Sequence, residues 1–343
     1  MPRISPRFLI FLLVAFLPTL ACQAAARVIQ PATPLPAAGA RDAAPSPPPT
    51  QPSETVFCPA EMESVIDAAM GGSKADSQIF SRDDHSITLV KYKVDGDTHG
   101  EPLMQSIPLE LRAYQQDLAA HERVWSLFTS LIPADERALV REFRIFTDGR
   151  NNLLAAVQQT ANDPGHWILE VDIADTSNAK NLAFSLIHEV GHLLTLDPSQ
   201  VPPDLELFKH PNDEDLYDKK AAACPNYFPG EGCSLEASYI NAFFGRFWGG
   251  LNDEWAAIDA IQSDRVYSRK LDAFYEKYQD QFVDDYAVTS ASEDIAESWT
   301  FFVLSPKPAG DTIAEQKLLF FHAYPALVQA RAGILKGLCT AGP

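Results

Sequence analysis

Positive charge is scarce in this chain. Its 343 residues carry 27 Lys and Arg against 46 Asp and Glu, a formal net charge of −19. A field of that sign repels nucleic acid and anionic lipid surfaces and favours basic partners, so no nucleic-acid role is expected. Long apolar runs are missing as well: the stretch Phe8 to Leu17 is too short to span a bilayer as an ordinary helix. Cysteines number only five, and no two stand in a C-x-x-C spacing, which argues against a structural zinc site built on them. No internal repeat is present. The 46% apolar and 21% charged residues are ordinary for a globular chain of one large domain or two modest ones.

Arg3 and Arg7 precede the apolar run Phe8 to Leu17, the pattern of a signal-peptide core, so residues 1–26 are read as a signal peptide and the chain as exported. Thr19-Leu20-Ala21-Cys22 resembles a bacterial lipobox, which would place lipid on Cys22, while Ala24 and Ala26 offer an A-x-A cleavage site instead. Lipidation of Cys22 also settles the cysteine count, because four then remain to pair. Cys224 and Cys233 enclose a turn-rich loop, and Cys58 with Cys339 would tie the start of the folded part to its end. Three pairings are formally possible, and this one is the expectation. Residues 27–57, rich in Pro and Ala and without periodicity, read as a disordered spacer. The expected location is the cell surface, as a lipoprotein, or the exterior, with membrane contact only through the anchor. Oligomeric state is left open.

The informative stretch is Leu186-Ile187-His188-Glu189-Val190-Gly191-His192-Leu193-Leu194. It reads H-E-x-x-H inside an apolar helical run, and two histidines four apart on a helix share one face, so both imidazoles can reach one metal ion. Neutral imidazole nitrogens are good zinc ligands, and a zinc site with three protein ligands keeps a fourth position open. Glu189 beside them can take a proton from an attacking water. A third ligand is needed. Thr195 and Pro198 stand where the continuation H-E-x-x-H-x-x-G-x-x-H needs glycine and histidine, so that solution is excluded, and H-x-x-E-H is absent. The better source is a second helix, Tyr286 to Trp299. Glu293 and Glu297 lie one turn apart there, so one can bind metal while the other hydrogen-bonds a ligand histidine. Asp294 is the rival ligand, and Ser290 or Ser292 would cap this helix.

H-E-x-x-H followed by a helical E-x-x-x-D/E resembles the gluzincin group of zinc metallopeptidases. Tyr286, seven residues before Glu293, followed by E-x-x-A-E, is similar to lethal-factor-type catalytic domains and bacterial secreted or lipoprotein metallopeptidases. The resemblance covers roughly 167–196 and 282–303. It implies a Zn2+ cofactor on His188, His192 and Glu293, Glu189 as general base, Glu297 as partner of a ligand histidine, and Tyr286 as donor to the oxyanion. It further implies a peptide or protein substrate. A zinc-stabilised binding lipoprotein without turnover, or a zinc hydrolase of a non-peptide amide, are the other readings.

The rest of the chain supplies the frame. Residues 86–94 read as a strand, 111–131 as a helix, and 142–147 with 152–157 as two strands around the Asp148-Gly149 turn. In 167–174, Trp167, Leu169, Val171 and Ile173 alternate toward one face, a half-buried strand that the resemblance to zincins implies is the antiparallel edge beside the cleft. Thr176, Ser177 or Asn178 caps the helix that carries His188. Residues 197–282 form an insert whose acidic run 212–218 reads as a solvated loop and whose aromatic stripe, Tyr239, Phe243, Phe244, Phe247 and Trp248, reads as core. His322, His85, His99, His121, His166 and His210 read as packing or surface residues. The expected fold is one α+β, zincin-like domain, 58–343, with a mixed sheet, an antiparallel edge strand on the active-site helix and a mostly helical C-terminal part.

Overall fold

A computed structural model describes residues 57–71, 86–149 and 153–341. The signal peptide, Cys22, His85 and nearly all of the spacer lie outside the described residues. The architecture is α+β with a mixed sheet.

Six strands form that sheet: β1 Ile87–Asp95, β2 Thr98–His99, β3 Leu103–Met104, β4 Val140–Thr147, β5 Ala155–Thr160 and β6 Asp163–Asp172. The order is β2-β1-β4-β6-β5, with β3 also pairing β1. β4 runs antiparallel to β1 and parallel to β6, and β5 runs antiparallel to β6. Two expectations therefore change. β4 and β5 do not form a hairpin around Asp148-Gly149, because β6 lies between them. The hairpin is β5–β6, closed by the two residues between Thr160 and Asp163.

The second correction concerns β6, which is interior rather than an edge. Its position explains its composition: Ile168 and Leu169 are both buried although they point to opposite faces, as in a strand covered on two sides. Ile168 belongs to the face that alternation alone assigned to solvent. The edge is β5.

Helices cover the sheet and build the C-terminal half. Leu118–Leu131 starts at Asp117, whose side chain accepts from Ala120 N, so the helix expected from 111 is broken near its beginning. The long helix Ala179–Thr195 is capped by Asn178, which accepts from Lys180 N and Asn181 N. Ser290 caps Ala291–Leu304 by accepting from Glu293 N. In the insert, the acidic run is a helix, Glu214–Ala223, rather than a loop. Asp213 caps it, and Glu214 and Asp215 in its first turn complement the helix dipole. Phe243, Phe247 and Trp248 are buried in the core, as the stripe suggested.

The two disulfides are Cys58–Cys339 and Cys224–Cys233, the expected pairing. The first joins the start of the described fold to its last helix, Pro325–Ala341. Such bonds fit an exported protein. No single described helix is long and apolar enough to cross a membrane.

Candidate metal centre

Two helices carry the centre, and small residues let them approach. At Gly191 an added Cβ would stand 3.0 Å from Ala296 Cα and 3.0 Å from Trp299 Cδ1, so the backbones of Ala179–Thr195 and Ala291–Leu304 meet with no side chain between them. That contact sets Glu293, one turn before Ala296, opposite His188 and His192. Packing of Leu186, Ile187, Val190, Ile295 and Trp299, all buried, holds the crossing in place.

Three ligand atoms converge there. His188 Nε2 is 3.1 Å from His192 Nε2 and 3.1 Å from Glu293 Oε2, and His192 Nε2 is 3.3 Å from the same Glu293 oxygen. In a tetrahedral site with bonds of about 2.0–2.1 Å, ligand atoms lie roughly 3.3–3.4 Å apart. The triangle therefore fits one small metal ion, and the group could hold a metal. His188 Nδ1 lies 2.9 Å from Glu297 Oε1, at ion-pair distance but without the alignment of a hydrogen bond. His192 Nδ1 is buried with no hydrogen-bond partner.

The charges around these rings favour a cation. Burial disfavours a charge on His188, yet Glu297, Glu293 and Glu189 outweigh it and hold its pKa well above the ordinary value. Burial also pushes Glu293 up, but His192 and His188 dominate and hold its carboxyl well below the usual carboxylate range. Positive charge is thus stabilised here, whether as a proton on His188 or as a metal ion. Glu189 differs: burial, opposed by the two histidines, pushes it up to about 7. A group poised there can both accept and release a proton near neutral pH.

The structure brings His188, Glu189, His192, Glu293, Glu297 and Tyr286 into one buried neighbourhood. The Tyr286 ring centroid is 5.8 Å from that of His188. Burial and the nearby Glu293, Glu189, Glu297 and Asp284 raise its phenol well above the ordinary value, so it keeps its proton. Asp294 is not brought to the centre. It is fully buried, turned about 100° around its helix from Glu293, with Oδ2 accepting from Lys317 Nζ at 2.6 Å and from Trp248 Nε1 at 2.7 Å. The other described histidines stay outside the centre as well. His121 is buried between the Tyr92 hydroxyl and the Tyr114 carbonyl, and His322 packs on Phe302.

Sequence reasoning missed Asp284 and Glu231. Asp284 accepts from Tyr286 N and Ala287 N, and burial with the adjacent Glu297 pushes its carboxyl well above the usual range. Its place two residues before Tyr286 was a usable signal. Glu231, in the Cys224–Cys233 loop, is close enough to feel His192 and Glu293, and burial pushes it up to about 7. Nothing in its local sequence points to the centre. The loop reaches it by pinning to Pro202–Asp204: the Glu231 carbonyl accepts from Asp204 N, and Gly232 has no room for a Cβ against the Pro202 carbonyl.

No family model, curated protein or solved structure matches this chain.

Proposed function

We propose that the chain is an exported zinc metallopeptidase with a zincin-like fold. The observation that carries this reading is the convergence of His188 Nε2, His192 Nε2 and Glu293 Oε2 within 3.3 Å of one another, with Glu189 buried on the same helix. Two imidazoles and one carboxylate are a donor set suited to catalytic zinc, which when bound would polarise the scissile carbonyl and acidify water.

The chain's own groups would supply the rest. Glu189 takes the proton of the attacking water and delivers it to the leaving amine. Tyr286 donates its phenol hydrogen to the oxygen that becomes negative. Glu297 steadies the His188 ring. β5 is the edge strand beyond β6, and the backbone amide of Val157 in that strand lies close enough to Glu189 to favour its charged form. An extended peptide adding to β5 would therefore lie beside the general base. Lipidation of Cys22 after export belongs to the same reading.

A peptide-library incubation tests it. The wild type should cleave peptides, and Glu189→Gln should lower turnover by about 10²–10⁴-fold with zinc content unchanged. Equal turnover in the two proteins would remove Glu189 from the chemistry. Absence of any cleavage by a zinc-loaded wild type would turn the reading toward a binding protein.

A further inference from the structure

We propose that Asp148, Asp172 and Asp175 form a second cation site, suited to calcium, at the end of the sheet from which the histidine-bearing helix departs. One carboxylate oxygen from each residue lies within 4.8 Å of the other two. Among the described residues none of the three makes an ion pair with Lys, Arg or His.

Local structure accounts for only part of the cluster. Asp172, fully buried at the end of β6, accepts from Asp148 N through Oδ2 at 2.8 Å and from Ala174 N through Oδ1 at 2.7 Å. Asp148, which directly follows β4, accepts from Leu153 N through Oδ2 at 3.2 Å. Its Oδ1 is different. That oxygen is buried without a hydrogen-bond partner, on a residue only 9% exposed that faces two further carboxylates. A buried, unsatisfied carboxylate oxygen beside like charges is unfavourable until a proton or a metal cation neutralises it. Burial, together with the charge of Asp172 and a hydrogen bond to it, pushes Asp148 up to about 6, so a proton shared with Asp172 is what a cation must displace.

Donor type and tolerance of geometry select the ion. All donors are carboxylate oxygens, which suit hard cations. Calcium takes six to eight oxygens in flexible geometry, whereas magnesium demands a near-ideal octahedron and gives up its water reluctantly. Carboxylates already committed to backbone N–H groups cannot move freely into an octahedron, which favours the more tolerant ion, calcium. Asp175 is exposed, so water can complete the shell. The ion would clip the loop after β4 to the turn after β6, three residues before the Asn178 cap. It would thereby brace the start of the helix that presents His188 and His192. This inference does not depend on the peptidase reading.

The test is thermal unfolding of the zinc-loaded protein in calcium-free buffer, titrated with CaCl2 and compared with MgCl2 at equal ionic strength. A partly exposed site should bind at about 10⁻⁴–10⁻³ M. At a tenfold excess over Kd the midpoint should rise by about 3–5 °C. The rise should be smaller in magnesium and lost in both Asp148→Asn and Asp175→Asn. Asp175 is at the surface, so its variant stays informative if Asp148→Asn folds poorly. An equal response to both salts, or a calcium response that survives in the two variants, would overturn the assignment.

Discussion

Replacing Lys317 by Met isolates the charge buried beneath the candidate metal centre. Lys317 and Asp294 are both 0% exposed and 2.6 Å apart. Burial raises the Asp294 carboxyl and lowers the Lys317 amine even while they are paired. Methionine keeps the length of the side chain and its packing near Phe282, whose ring centroid is 4.0 Å from Nζ. What remains is a carboxylate with only the Trp248 and Ser298 donors. Leaving one member of a buried pair uncompensated costs about 3–5 kcal/mol. In a domain of this size that lowers the thermal midpoint by about 5–8 °C.

The pH dependence has a defined sign. Without Lys317, the Asp294 carboxyl has a higher pKa folded than unfolded. A group shifted that way stabilises the fold below its unfolded value, near pH 4, and loses that contribution as pH rises through the folded value. The deficit of Lys317→Met should therefore be small at about pH 4 and full at about pH 7. Urea titration followed by tryptophan fluorescence measures it, with buried Trp248 reporting directly. The double variant Asp294→Asn/Lys317→Met removes both charges, keeps a hydrogen-bonding amide, and should return to within about 1 kcal/mol of the wild type. A single-variant loss below about 1 kcal/mol, or a double variant no better than the single, would refute the reasoning.

Two further substitutions probe the centre itself. Gly191→Ala gains roughly 1 kcal/mol in helix propensity but forces a Cβ against Ala296 Cα and the Trp299 ring. The clash should win, with a net loss of about 1–3 kcal/mol and weaker metal binding as the helices separate. A calorimetric midpoint at or above that of the wild type would show that the crossing can relax. Tyr286→Phe, in the proposed peptidase, should lower kcat with little change in KM, and an unchanged kcat would return Tyr286 to a packing role.

Much of the centre was legible because helical periodicity is a local property. Two histidines four apart, and glutamates four apart after a serine cap, fix which side chains share a face before any tertiary structure is known. Choosing Glu293 over Asp294 needed more. Adjacent residues on a helix point about 100° apart, and only the position of Lys317 shows which of the two faces the core. Strand order was less legible. Asp148-Gly149 carries a strong hairpin signal, but its Asp is bound to the end of β6, and the true β5–β6 turn has no glycine. The resemblance misplaced β6 at an edge, and alternation misjudged its second face, because Ile168 on that face is buried as well. Glu231 was invisible for another reason: its approach to His192 depends on a disulfide-closed loop docking on Pro202–Asp204, a long-range event without local pattern.

The central claim is that His188, His192 and Glu293 hold one zinc ion. Elemental analysis of the purified protein beside its Glu293→Ala variant tests it most directly. The wild type should hold about one zinc per chain, lost or greatly weakened in the variant. Full zinc in both proteins would contradict Glu293 as the third ligand, and no zinc in either would contradict the metal centre as a whole.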